Sequence, residues 1–165
     1  MRIRFALPCD IDAIVMLGAE AVLNGVWAPI THCDVDVTKR NVAAAVDAKL
    51  AFVAEHEGQV VGFILYRRMS FVFADSIQYL EVSCFYAVPE GRKLRDDRLH
   101  LPTASALLQA SKDLANCTKL PVYVPVMWGP QIEARDRFMR KAGFNYVGGN
   151  FVFEPQEVEA LQAAE

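Results

Sequence analysis

A strand, a charged turn and a helix follow one another between positions 78 and 115, and this run constrains the fold more than any other. Residues 78–89 read QYLEVSCFYAVP, 90–101 read EGRKLRDDRLHL and 102–115 read PTASALLQASKDLA. Leu80, Val82, Cys84, Tyr86 and Val88 alternate with Tyr79, Glu81, Ser83 and Phe85. That period of two predicts a strand with one side in a core and the other carrying polar atoms. Ala104, Leu107, Leu108, Ser111, Leu114 and Ala115 recur at helical spacing, which predicts a helix with one apolar stripe. Pro102 suits the first helical position, where its missing N–H costs nothing. The order of strand, charged loop and helix start recurs where proteins hold phosphate. Free N–H groups and the positive end of the dipole point out of a helix N-terminus.

The flanking segments complete an alternating pattern. Ile3, Phe5 and Leu7 alternate with Arg2, Arg4 and Ala6, which predicts a short half-buried strand. Pro8, Asp10 and Asp12 then open a helix, with Ile11, Ile14, Val15, Gly18 and Val22 as its buried stripe and Asn24-Gly25 as its stop. A second helix is expected over 38–49, capped by Asp36 or Thr38, after an irregular stretch carrying Trp27 and His32. Two apolar runs joined at Glu57-Gly58 predict a hairpin. Beyond the central helix, PVYVPVM predicts a buried strand. A helix is expected from Gly129 to Lys141, with Ile132, Phe138, Met139 and Ala142 inward and Gly143 closing it. A final hairpin follows, and 155–165 is left as a tail. The order βααβββαβαββ predicts an α/β fold, a mixed central sheet with helices on both faces.

One domain spanning 1–165 is the prior for a chain of 165 residues that is 53% hydrophobic. A net charge of −3 disfavours nucleic acid and anionic membranes as partners, even with Arg135, Arg137, Arg140 and Lys141 close together. The four cysteines Cys9, Cys33, Cys84 and Cys117 lack paired spacing, which reads as reduced structural thiols rather than a zinc site or a disulfide frame. With no evident signal peptide and no bilayer-long apolar run, a soluble cytoplasmic protein is expected.

Four stretches in this order together resemble the GNAT superfamily of acyl-CoA-dependent N-acyltransferases. IRFALPCDIDAI is similar to its first strand and helix, and VAEHEGQVVGFILY to its second and third strands. AVPEGR resembles the end of its fourth strand entering the pyrophosphate loop, and RFMRKAGFNYVGGNFVF its closing helix and hairpin. The resemblance implies acetyl-CoA as co-substrate, an amine acceptor that is a small molecule or a protein, and an acyl transfer between them. A homodimer is compatible with it.

The loop departs from the family pattern. Val88, Pro89 and Arg92 stand where the resemblance implies, but Lys93, Leu94, Arg95, Asp96, Asp97 and Arg98 replace the usual glycine-rich run. Bare glycine amides approach a diphosphate more closely than side chains can. Some phage-encoded relatives resemble this pattern, with the glycines lost and the arginines retained. On the functional reading Arg92, Lys93, Arg95 and Arg98 grip the CoA phosphates with charge-assisted hydrogen bonds. On the alternative reading the loop is solvated surface, with Asp96 and Asp97 neutralising its arginines.

The resemblance also implies that the pantetheine arm pairs with the backbone of Phe85, Tyr86, Ala87 and Val88, where the fourth and fifth strands splay. It makes Glu81, beside Ser83, the general base. The tyrosine that serves as acid in the family, four residues before Gly143-Phe144, is Met139 here, and a thioether donates no proton. The acid is then absent, supplied by a poor substitute such as Tyr146, Tyr123 or Ser83, or unnecessary because the thiolate leaves unaided. Met139 and the missing glycines motivate a second reading, a catalytically silent GNAT-fold module for binding or assembly, with Trp27, Phe71 and Phe73 as interface aromatics.

Overall fold

The computed structural model describes residues 1–23, 33–71, 74–125, 132–147 and 150–153. The expectations for Asn24-Gly25, Trp27, His32, Phe73, Gly129 and the tail 155–165 fall outside these residues. The elements are β1 (Arg2–Phe5), α1 (Ile11–Leu23), α2 (Val35–Asp47), β2 (Ala51–His56), β3 (Gln59–Phe71) and β4 (Ala74–Ala87). Then come α3 (Thr103–Thr118), β5 (Val122–Pro125), α4 (Ile132–Lys141), β6 (Asn145–Val147) and β7 (Asn150–Phe153). This is the predicted order βααβββαβαββ. The strands form one sheet in the order β1-β2-β3-β4-β5-β7-β6. All its pairings are antiparallel except β4 with β5. Among the described residues no helix is long and apolar enough to cross a membrane.

Two cores lie on the two faces of this sheet. Ile64, Tyr66, Leu80 and Val82 pack under α3, through Leu107, Leu108, Leu114 and Ala115, and Met139 of α4 joins them. Phe63, Leu65, Val53 and Ala51 pack on the other face under Ile14 and Val15 of α1 and Val42 and Val46 of α2. Strand alternation sorts the neighbours Phe63, Ile64, Leu65 and Tyr66 into the two cores, so β2 and β3 are apolar on both sides. Across the first core the buried hydroxyls of Tyr66 and Ser111 lie 2.6 Å apart, tying β3 to α3. A hydrogen bond satisfies both groups where water cannot reach.

Several local expectations change. The second helix starts at Val35 because Asp34, not Asp36 or Thr38, caps it, accepting from the Val37 amide at 3.0 Å. Pro102 is the N-cap of α3 rather than its first residue. Phe5 and Leu7 are exposed, whereas Ala6, expected on the polar side, is buried. Phe5 instead stacks on Phe52 with ring centroids 4.4 Å apart. Arg4 is the anchor of β1. Its guanidinium meets Asp10 through two bonds of 2.6 and 3.0 Å and Glu55 through a third of 2.5 Å.

The largest departure is in β4, which does not keep a single phase. Leu65 registers with Cys84 and Tyr66 with Val82, so Ser83 is an extra residue with no partner, a β-bulge. Before the bulge, Leu80 and Val82 face α3. After it, Phe85 takes that side, and Cys84 and Tyr86 turn to the α1–α2 face.

Candidate active site

The bulge sits where the sheet opens. β4 and β5 share register only at Leu80–Val122 and Glu81–Tyr123. Beyond that rung they part, and a cavity of about 560 Å³ occupies the gap. One wall is β4 from Val82 to Ala87; the other is Val124 and Pro125 of β5, with Arg135, Phe138 and Met139 of α4. The cavity reaches Arg92 and Ala104 at the start of α3, and on the opposite face Ile14, Gly18 and Val42 under α1 and α2. It therefore passes through the sheet, from the helix N-terminus on one side to the α1–α2 face on the other.

The loop after β4 is shaped by its acids. Asp96 is buried, and its carboxylate accepts the amides of Arg98 (2.8 Å) and Leu99. Its own amide donates to the Leu101 carbonyl at 2.9 Å. Asp97 meets the amino group of Met1 at 2.7 Å. The expectation that these aspartates neutralise the loop arginines is therefore corrected, because both carboxylates are turned to other partners. Among the described residues Arg92, Lys93, Arg95 and Arg98 form no ion pair. Arg92 is nearest the cavity, its Nε donating to the Ala87 carbonyl at 3.2 Å at the end of β4. Arg95 donates to the His100 carbonyl at 3.3 Å.

Gly91 holds this loop against the sheet. A Cβ there would stand 2.9 Å from Val88 Cγ2 and 3.0 Å from the Val61 carbonyl oxygen, closer than a side chain can fit. The Thr103 hydroxyl donates to the Gly91 carbonyl and so binds the loop to the start of α3. The glycine thus serves close packing rather than ligand contact. The helical ladder of α3 begins with Ala106 donating to Pro102, and Ala104, ahead of it in the first turn, lines the same end of the cavity.

The predicted site residues separate into two groups. Phe85, Tyr86, Ala87 and Arg92 line the cavity; Glu81, Val88, Lys93, Arg95 and Arg98 do not. Glu81 shares the α1–α2 face with Cys84 and Tyr86, two residues before the bulged Ser83. Its Oε1 lies 3.2 Å from Arg67 Nη2, and its side chain is 25% exposed. The Tyr86 hydroxyl donates to Glu20 on α1 at 2.6 Å. Met139 is buried and lines the cavity. Of the alternative hydroxyls, Ser83 lies in the cleft but donates to the Leu65 carbonyl at 3.3 Å. Tyr146 is exposed, beneath the Arg140 guanidinium.

Sequence reasoning missed two lining groups. Arg135 was noted only as one basic residue of the last helix, yet it enters the cavity four residues before Met139, one helical turn away. Burial lowers its pKa, the mark of a cation in partial desolvation without a counter-charge. Cys84 lines the same cavity, and burial pushes its thiol up to about 11.

The class defined by these features is an α/β fold with a mixed sheet whose parallel pair parts at a bulge, leaving a cleft with a cationic loop and a helix start at its mouth. Solved structures narrow the fold further. No protein-family model and no curated protein sequence matches it. It is similar to an N-acetyltransferase from Staphylococcus aureus Mu50, at TM-score 0.70 and 20% identity over 92% of this chain and 96% of that one. It is similar to a ribosomal-protein-alanine N-acetyltransferase from Brucella melitensis, at TM-score 0.66 and 21% identity over 92% and 96%. A GNAT family acetyltransferase from the same organism, in complex with acetyl-CoA, matches at TM-score 0.61 and 17% identity over 93% and 86%. The fold is that of the GNAT acetyltransferases.

Proposed function

We propose that this protein is an acyl-CoA-dependent N-acyltransferase that moves an acyl group, acetyl in the simplest case, from CoA to an amine. The observation that carries the reading is the cleft between β4 and β5, with Arg92 at one end and the loop's bases free of ion pairs. Cations gathered at a helix start, with their neighbouring acids committed elsewhere, suit a diphosphate. The arm between phosphate and thioester would then run along Phe85, Tyr86, Ala87 and Val88 toward the bulge.

The reaction asks for a neutral amine and a stabilised oxyanion. Glu81 is the base in this reading. It lies at the head of the cleft on the α1–α2 face, and it would act after parting from Arg67 or through one water. Donors for the oxyanion would come from the backbone of the widened strand at the bulge. Met139 supplies no proton, so the departing thiolate takes its proton from water.

The buried Met139 and the Glu81–Arg67 pair favour one rival, a GNAT-fold module that binds without turnover. Calorimetry with acetyl-CoA, followed by a thiol-release assay over a panel of amines, separates the two. Binding with amine-dependent thiol release supports the transferase. Binding with no release on any amine supports the silent module, and no binding removes both as CoA proteins.

A further inference from the structure

The part of the cavity on the α1–α2 face, taken here as its second compartment, differs in chemistry from the cationic end. Its walls are Ile14, Gly18 and Val22 of α1, Val42 of α2, and Phe63 and Leu65 of β3. The polar groups beside them are already engaged. The Thr38 hydroxyl donates to the Asp34 carbonyl at 2.7 Å, Ser83 to the Leu65 carbonyl and Tyr86 to Glu20. Among the described residues no carboxylate lines the cavity, and its two guanidiniums come from the loop after β4 and from α4. An ammonium group or a hydroxyl-rich ring held against Ile14, Val42 and Phe63 would lose hydration that these apolar side chains cannot replace. An apolar group there would instead gain the transfer free energy of its buried surface.

We infer that this compartment takes an uncharged apolar group of a reactant, aliphatic or aromatic, carried on the acyl chain or on the acceptor amine. Polyamines and aminoglycosides are thereby poor acceptors. The inference rests on the acyl-transfer reading and names the substrate class of that same site. Gly18 marks the room available. A Cβ added there would meet Phe63 Cζ at 3.9 Å and Thr38 Cγ2 at 4.0 Å, ordinary contact with nothing nearer. A branched side chain at this position would project into the compartment.

Two arms distinguish the carriers. The first measures calorimetric binding of CoA and of its unreactive thioethers S-ethyl-CoA and S-hexyl-CoA. Each buried methylene is worth about fourfold in affinity. If the acyl chain enters, S-hexyl-CoA therefore binds at least about tenfold tighter than S-ethyl-CoA. Gly18→Leu erases that difference, and Gly18→Ala keeps part of it. The second arm compares 2-phenylethylamine with spermidine as acceptors for acetyl-CoA. If the amine carries the apolar group, kcat/KM for the aromatic amine exceeds that for spermidine at least about tenfold, while the thioethers bind alike. The wild-type comparisons stand even if a Gly18 variant fails to fold. Thioethers that bind alike, together with spermidine turned over as well as the aromatic amine, overturn the inference and leave CoA binding intact. Absence of binding by CoA itself overturns the acyl-transfer reading and this inference with it.

Discussion

Glu81 and Tyr123 are the last residues of β4 and β5 to stand in register before the strands separate. Glu81 thus stands on the rung where the cleft begins, and its carboxylate lies 3.2 Å from Arg67 on the neighbouring strand. The ring of Tyr123 lies 4.9 Å from that of Tyr79, and Phe71 closes the group at 5.0 Å from Tyr79.

If Glu81 is the base, Glu81→Gln lowers kcat by about a hundredfold or more and changes CoA affinity little. Steady-state kinetics beside calorimetry checks this. A parallel loss of CoA binding would assign the residue to structure instead.

Arg92 is the loop cation nearest the cavity, and Arg92→Ala is expected to weaken CoA binding by about tenfold to a hundredfold, the worth of a charged hydrogen bond. Dephospho-CoA separates the diphosphate from the 3′-phosphate. If Arg92 holds the diphosphate, the variant loses the same factor on both ligands.

Gly91→Ala puts a methyl group against Val88 and the Val61 carbonyl. The loop must then move off β3, and a loss of stability of about 1–3 kcal/mol is expected, with weaker CoA binding alongside. Thermal denaturation and calorimetry on one preparation read both effects.

Cys84 is masked by its pKa as well as by its place. Burial raises the thiol to about 11 from 9.0. At pH 8 iodoacetamide is expected to label the exposed Cys9 and Cys117 well before Cys84. A raised pKa in the folded state favours the protonated thiol. The resulting stability is complete below about pH 9 and is lost as pH rises through about 11. Peptide mass spectrometry after timed labelling gives the order.

The hydrogen bond from Arg4 holds the Asp10 carboxyl below its ordinary value of 3.8. A depressed pKa favours the carboxylate in the folded state, so this stability is present above about pH 4 and fades as pH falls through the folded value. Asp10→Asn is expected to cost about 3 kcal/mol at pH 7 and much less at pH 2. Urea denaturation at the two pH values tests the difference.

The architecture was legible because each element carries its own period and its own stop. The turn at Glu57-Gly58, both residues at positive φ, and the helix end at Gly143, at φ +87°, follow from local chemistry. The centre of the site was harder to read. A bulge depends on how two strands register, and nothing in VSCFYAV announces that Ser83 lacks a partner. The loop charges misled for a similar reason. Asp96 looks like a counter-ion in a string of letters, but it becomes a turn-former once the amides of Arg98 and Leu99 point at it. Arg135 was hidden because its helix reads as amphipathic and basic, and only packing decides which arginine turns inward.

The unpaired serine in β4 makes the cleft a matter of counting rather than of spelling. No substitution between 80 and 87 restores the plain alternation, since the added peptide unit remains whatever side chain it carries. Deleting that unit would leave Cys84 opposite Leu65 and Phe85 toward α3 as they stand, but would close the bulge at which the cleft begins. Descendants of this chain can therefore vary the lettering of the cleft freely, but the length of that strand is the part they have to inherit.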